Sequence, residues 1–564
     1  MYRIWRIYQP NFKLREEISN NLNISNILSQ LLINRNIEDT QSAESFLYPK
    51  FLDLSFSFLL PDMKKAVERI KKAIYNKERI LIFGDYDVDG ITAVALLESV
   101  LSNLGLRVFH YLPHRINEGY GLNTNVIRMA KSQNIHLLIT VDCGITNFLE
   151  VEELNRVGID VIITDHHLPL EDKLPSALAV VDPQCRSSKY PYKALAGVGV
   201  AYKLASALLG RELREYLDLV CMGTVADSMP LLGENRTIAK EGLFKLIESP
   251  RLGFKALLNV SRIEKKYLNT EDISYIIAPR LNASGRLDDA EISLKLLMSK
   301  SIQEANELAE ILHNLNTSRQ KIEEKMLKEA EDMVENEINF KEDKVIILAK
   351  EGWHQGLLGI VASKIKDTFH RPTVMISLQE GICRGSARSI RNFHILEMLS
   401  QCKDILNNFG GHSLAAGLSI SKKNIQHLKK RLNDLASQKL NLEDLYPSLD
   451  IDMELKLKDI SVELLDEIAI MEPFGEANPH PLFYTPKLKL SKEPQIFGKN
   501  HIKIWVTDGE FSYPAIGFNM ANLKEFLENC ESFDLVYSLP LKGYRNSEDL
   551  FLEIEDIRLN SLRP

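Results

Sequence analysis

The chain has 564 residues, 45% hydrophobic and 26% charged, with a formal net charge of −8 at pH 7. That length exceeds one ordinary domain and predicts three or four, while the balance of apolar and charged residues excludes a disordered chain. No apolar run reaches the ~18 residues of a membrane span, and the net acidity excludes a protein coated in positive charge without excluding a local basic groove.

From the N-terminus, MYRIWRIYQPNFKLREE has no signal-peptide core. Between about residues 62 and 230 short apolar runs alternate with helical stretches. RILIF (79–83) leads through an acidic loop into ITAVALLESVLSNLG, a helix stopped by Gly105; RVFHYLP (107–113) follows. IHLLITV (135–141) runs into Asp142 and then a helix ending near Gly158, IDVIIT (159–164) into Asp165-His166-His167, and ALAVV (177–181) into Asp182. This alternation predicts right-handed βαβ units on a parallel sheet, with sites beyond the carboxyl ends of the strands. GVGVAYKLA (197–205) lacks the third glycine of a dinucleotide fingerprint and reads as a helix packed closely beneath the site. From 289 to about 338 the apolar spacing is helical and free of proline and glycine, which predicts long helices linking two lobes. A second α/β pattern starts at KVIILA (344–349) and includes RPTVMIS (371–377) and NFGGHSLAAGLSI (408–420). The last hundred or so residues alternate as strands (PLFYTPKLKLS, HIKIWVTD, FSYPAIGF, FDLVYSLPLK, LFLEIEDIRL) around one helix, MANLKEFLENC, a pattern that suits a small Greek-key barrel. Six scattered cysteines (143, 185, 221, 383, 402, 530) contain no Cys-x-x-Cys pair and predict reduced thiols in a cytoplasmic protein.

Asp85, Asp87 and Asp89 crowd three like charges beside an apolar run. At about 4 Å and an effective dielectric near 20, each pair repels by roughly 4 kcal/mol, against a domain stability of about 5–15 kcal/mol. Protonation, exposure to water or a divalent cation would relieve this. Asp142, Asp165-His166-His167 and Asp227 at the other strand and loop ends shift the balance toward the cation, because carboxylates with imidazole form a hard site suited to Mn2+ or Mg2+. Two such ions bridged by one aspartate suit water activation and in-line phosphoryl displacement.

FGDYDVDG, VDCGIT, TDHH and VADSMP, in this order, resemble the four motifs of the DHH phosphoesterase family. With PHRINEGYGL, PRLNASGR, GWHQGLLGIVASKI, RGSARS and FGGHSLAAG added, the chain is similar through nearly its whole length to the single-strand-specific 5′→3′ exonucleases of bacterial DNA repair within that family. The resemblance implies an α/β architecture: an N-terminal segment (1–60), a parallel-sheet DHH domain (61–288), connecting helices (289–340), a DHH-associated α/β domain that binds substrate (341–445), and a C-terminal OB-like β-barrel that binds nucleic acid (446–564). It implies two ions, Mn2+ or Mg2+, held by Asp85, Asp87, Asp89, Asp142, His166 and Asp227, with Asp142 bridging. His167 would contact the scissile phosphate and Asp165 would orient its neighbours. Many family members carry a histidine where this chain has Phe83, so Asp85 is expected to substitute.

For the substrate side the resemblance points to Arg384, Ser386, Arg388 and Ser389, and to Gly410, Gly411 and His412, where a glycine turn and arginines can cradle phosphate. Arg115 and Arg280 lie among turn residues and join this set; Arg115, Ser386 and Arg388 are expected to bind a terminal 5′ phosphate. Trp353 is expected to pack in the core. Single-stranded DNA is the implied substrate, with a helicase and a single-strand DNA-binding protein as implied partners. Two rival readings stand beside this one. A DHH phosphodiesterase of short oligonucleotides or cyclic dinucleotides needs neither the barrel nor this length. A non-catalytic DNA-binding relative would be expected to have lost several of the acids.

Overall fold

The computed structural model describes residues 3–170, 173–263, 267–541 and 550–562. They fall into two units, a larger one of residues 56–227 and 242–447 and a smaller one of residues 4–55, 228–241 and 448 onward. The chain opens in the smaller unit with strand β1 (Ile4–Ile7) and the helices Phe12–Leu22, Asn26–Ile33 and Thr40–Leu47.

The first sheet of the larger unit comprises β2 (Arg79–Gly84), β3 (Arg107–Tyr111), β4 (Leu137–Val141), β5 (Asp160–Thr164) and β6 (Ala179–Val181), all parallel in the order β3-β2-β4-β5-β6. Both faces of a parallel sheet are covered, so its strands are continuously apolar; Ile80 to Phe83 are fully buried. Strand order reverses between β2 and β4, which creates the crevice where such sheets bind ligands. Gly84 pairs with Val141, Val141 with Thr164, and Thr164 with Val181. The next residue of each strand is an acid, so Asp85, Asp142, Asp165 and Asp182 stand at one level along the crevice.

Glu291–Met298 and the 36-residue helix Ile302–Glu337 realise the expected connector, the latter capped by Ser301, whose side chain accepts from Glu304 N. The second sheet comprises β7 (Ile346–Glu351), β8 (Thr373–Leu378), β9 (Ile382–Arg388), β10 (Leu406–Gly411) and β11 (Ala415–Ser421) in the order β10-β11-β9-β8-β7. Only β7–β8 is parallel. Trp353 is buried and donates through Nε1 to Glu329 Oε2 at 2.9 Å, the expected core position.

In the smaller unit β12 (Ser448–Ile451) runs parallel to β1, and β13 (Met453–Glu454) leads to β14 (Phe483–Phe497), β15 (His501–Thr507), β16 (Ser512–Gly517), β17 (Cys530–Ser538) and β18 (Leu552–Leu562). The order β14-β15-β16-β18-β17, with β17 returning to β14, closes a five-stranded barrel. Lys542, which ends the fourth of the strand-like stretches, lies outside the described residues. Ile18, Leu28, Leu31 and Phe46 of the N-terminal helices share one core with Ile504, Phe533 and Leu535 of the barrel. Residues 4–55 therefore do not stand as a segment apart. Residues 56–60 group with the larger unit, whereas residues 228–241, inside the expected DHH span, join the smaller one. All six cysteines are free and buried. No helix among the described residues is long and apolar enough to cross a membrane.

Candidate active site

The acidic loop leaves β2 at Gly84 and enters the helix Val88–Asn103. Asp87 is its N-cap, accepting from Asp89 N at 3.1 Å and Gly90 N at 3.3 Å. Asp89, in the first turn of the same helix, accepts from Gly197 N at 2.6 Å and Val198 N at 2.8 Å, so the start of the helix Gly197–Leu209 fixes its carboxylate. A side chain at Gly197 would meet Asp142 Oδ1 at 2.6 Å. The Gly-Val-Gly stretch is thus a close helix approach beneath the site, with Gly197 the position that requires glycine. Asp142 leaves β4 in the left-handed region (φ +61°), and Asp227 closes the helix Leu217–Ala226. Asp165 is fully buried and accepts from Ile145 N, His166 N and His167 N, and from His167 Nδ1 at 2.7 Å.

His166 decides what the nest is for. Its Nδ1 lies 3.1 Å from Leu195 O, a carbonyl that can only accept, so Nδ1 carries the proton. Burial, then the charge of His167, pushes the pKa of His166 down to about 3 and keeps the ring neutral. Nε2 therefore presents a lone pair 3.0 Å from Asp142 Oδ1, with Asp227 Oδ2 at 3.8 Å and Asp89 Oδ2 at 3.9 Å. Acceptors face acceptors. Asp142 Oδ1 and Asp85 Oδ1 are buried without a hydrogen-bond donor. Burial, followed by the neighbouring carboxylates, raises Asp85 and Asp142 well above the carboxylate range, Asp89 to about 7 and Asp227 to about 9. Such a site takes up either protons or cations, and its donors, carboxylates with one neutral imidazole, are those of a hard divalent ion. Three groups of donor atoms lie within 4.8 Å of one another: Asp142, His166 and His167; Asp89, His166 and Asp227; and Asp85, Asp87 and Asp142. Asp142 and His166 each belong to two of them. Phe83 contributes nothing: its ring is fully buried and stacks on Tyr111 at 5.7 Å.

His167 differs from its neighbour. Burial opposes its charge, but the hydrogen bond and charge of Asp165, with the charges of Asp227 and Asp85, outweigh it and raise the pKa to about 9. Its ring stacks at 5.8 Å and 16° on His412, which β10 and β11 bring from the second sheet.

Alternation along β9 buries Cys383, Gly385 and Ala387 and turns Arg384, Ser386 and Arg388 to the other face. Arg388 Nη1 donates to Ser386 Oγ at 3.2 Å, and Gly359 lies against both side chains. Arg388 feels the charge of Arg115, whose guanidinium lies 4.9 Å from the Tyr86 ring centre. Ser389 does not join them. It is buried, and its hydroxyl donates to Phe393 O at 2.5 Å, tying a turn. Nor does Arg280, which donates to Ile276 O of the preceding turn. Arg286, in the same PRLNASGR stretch, donates through Nη1 to Gly356 O at 3.2 Å; burial, then the charges of Arg115 and Arg319, lowers its pKa to about 9, with Asp87 and Arg388 also within electrostatic reach. Six residues along a helix is a rotation of about 240°, so only one of the two arginines can face the site. The Gly-Gly-His stretch ends a strand and opens a hairpin. Gly411 (φ +142°) packs where a side chain would meet Ala415 O, whereas Gly410 is exposed with open space around it. Asp182, read from the sequence as a strand-end acid but not assigned to the site, has its carboxyl raised to about 8 by burial and then Asp165. Sequence reasoning passed over Tyr120, whose glycine flanks were the available signal.

Residues 79–224 match the N-terminal domain of the DHH family, 342–438 the DHHA1 domain and 451–556 the RecJ OB domain. The single-stranded-DNA-specific exonuclease RecJ of Bacillus subtilis (strain 168) is 40% identical over 555 residues, 98% of this chain and 70% of that protein. The chain belongs to the RecJ family. Membership makes it a DHH-family hydrolase. The crystal structure of RecJ from Thermus thermophilus in complex with Mn2+ is similar over 99% of this chain and 80% of its own, with TM-score 0.85 and 28% identity. The RecJ structure from the same organism in complex with Mg2+ gives a TM-score of 0.78 at 27% identity, over 99% and 79% of the two chains. These are the two cations that the donor set of the nest suits.

Proposed function

We propose that this chain is a metal-dependent exonuclease that hydrolyses single-stranded DNA from the 5′ end and releases 5′-mononucleotides, in DNA repair and recombination. One observation carries the reading: within a single unit, His167 of a nest of carboxylates and imidazole stacks on His412 of the second sheet, and Arg115 and Arg286 lie within electrostatic reach of Asp85 and Asp87 in that nest. The name of the Bacillus subtilis relative supports the substrate.

Asp85, Asp87, Asp89, Asp142, His166 and Asp227 would hold two ions, Mn2+ or Mg2+; Asp142 and His166 each belong to two donor groups, and of the two only the carboxylate has a second oxygen with which to be shared. The ions, when bound, supply positive charge that acidifies the attacking water and offsets charge on the phosphoryl oxygens. Asp165 accepts the Nδ1 proton of His167 and so turns Nε2 to the scissile phosphate as a donor. Arg115, Arg286, Ser386 and Arg388 bind a terminal 5′ phosphate, neutralising guanidinium groups that otherwise repel one another. A terminal-phosphate pocket beside the nest sets the polarity of digestion. On the barrel, Trp505 sits 4.7 Å from both Lys492 Nζ and Lys503 Nζ, an aromatic–cation surface of the kind that stacks bases and follows a phosphate backbone. A helicase would deliver the single strand and a single-strand-binding protein would hold it; both partners rest on the resemblance alone.

Single and double strands labelled at the 5′ or the 3′ end test this, each with Mn2+, Mg2+ or chelator. The expected result is metal-dependent release of mononucleotides from the 5′ end of the single strand. Digestion from the 3′ end, or digestion that survives chelation, refutes the reading; a preference for dinucleotides over long strands favours the short-substrate phosphodiesterase instead.

A further inference from the structure

Gly119-Tyr120-Gly121 follows β3. Both glycines are left-handed, at φ +82° and +85°, and a side chain at 121 would meet Asn147 Oδ1 at 2.6 Å. The bend needs glycine on each side of the tyrosine, and it carries the phenol to the rim of the nest. Tyr120 Oη lies 3.2 Å from Asp142 O and 3.1 Å from His167 Nδ1, and its ring meets the His167 ring edge-on at 5.6 Å and 68°.

The hydrogen-bond inventory of this contact has one solution. Asp142 O can only accept, so the single phenolic proton goes there. Toward His167 the oxygen is then an acceptor, and Nδ1 must bear a hydrogen, shared between Tyr120 Oη and Asp165 Oδ1 at 2.7 Å. We propose that Tyr120 is a positioning residue of the hydrolysis: it ties the peptide of Asp142 to the imidazole of His167 and, with Asp165, fixes Nε2 toward the phosphoryl group. Asp165 alone constrains the ring through one bond, about which it can still swing. Tyr120 supplies the second point of attachment and registers the donor against the strand end that carries the shared ligand. The inference rests on the hydrolase reading above.

Tyr120→Phe keeps the ring and removes only the hydroxyl. Its kcat on 5′-phosphorylated single-stranded DNA is expected to fall roughly tenfold to a hundredfold, the scale of a misplaced reacting group, with KM, melting temperature and calorimetric Mn2+ affinity unchanged. Combined with His167→Ala it is expected to cost nothing further. In metal-free protein labelled with 15N-histidine, the His167 Nδ1 resonance is expected to move. An unchanged kcat, losses that multiply in the double variant, an unmoved resonance, or a parallel loss of Mn2+ affinity, which would route the effect through Asp142, overturns the proposal. If wild-type protein cleaves a short phosphodiester but not single-stranded DNA, the substrate reading fails, and the same comparison on the short substrate still decides the role of Tyr120.

Discussion

Asp142→Asn separates what the nest costs from what it does. In the metal-free chain Asp142 Oδ1 and the His166 Nε2 lone pair face each other at 3.0 Å, and the carboxylate is further opposed by Asp89, Asp87, Asp85 and Asp227. Asparagine has nearly the same shape and tolerates the left-handed backbone at φ +61°. Its amide can donate to Nε2, which turns a buried pair of acceptors into a hydrogen bond worth about 1–3 kcal/mol. Removing one charge from a crowd whose close pairs each cost up to roughly 4 kcal/mol adds to that gain. A net stabilisation of about 2–4 kcal/mol is expected where Asp142 is ionised, read as a rise of about 5 °C in the melting temperature under chelator at alkaline pH. It shrinks as pH falls, because the raised Asp142 carboxyl then keeps a proton that itself bonds Nε2. The same variant should lose most of the Mn2+-dependent rise shown by the wild type, and all detectable cleavage, while single-strand binding persists. A metal-free variant that melts below the wild type, or that gains as much from Mn2+, would refute the argument that these carboxylates are arranged for cations.

Three further outcomes follow from other parts of the structure. His110 bridges Glu98 at 2.7 Å and Glu291 at 3.1 Å, and these hydrogen bonds, Glu291 first, outweigh burial and raise its pKa to about 10. Its ion pairs are fully present below its ordinary value of 6.5 and are lost as pH rises toward 10, so urea melts should show a deficit for His110→Gln on the order of 3 kcal/mol at pH 6 that vanishes by pH 10. Arg286→Met and Arg388→Ala should each abolish the preference for 5′-phosphorylated over 5′-hydroxyl ends in a digestion assay, and Arg280→Met should leave it intact; loss of the preference in the last variant would restore Arg280 to the pocket. In the smaller unit, buried Arg236 donates to the carbonyls of Phe46, Ile470, Glu472 and Pro473, so Arg236→Met should destabilise that unit by about 3 kcal/mol in denaturant melts while the nest keeps its Mn2+ affinity.

Local features were legible in the residues themselves. Apolar runs that end in aspartate announced the parallel strands and the acids at their ends, because strand burial and the crevice of an α/β sheet leave that periodic trace. The alternation of RGSARS placed Arg384, Ser386 and Arg388 on one face for the same reason, and the five strands of the barrel were visible with their helix. What tertiary structure alone decided concerns register and rotation. Pairing of Gly84 with Val141 and of Val141 with Thr164 brings Asp85, Asp142 and Asp165 level, and strand spacing in the sequence does not encode that alignment. Helix phase sets Arg280 and Arg286 on different faces, a turn drew Ser389 inward, and the N-terminal helices joined a core whose partners lie some four hundred positions away. A linear pattern records which residues prefer burial or charge; which of them meet is settled by the packing of elements distant in the chain.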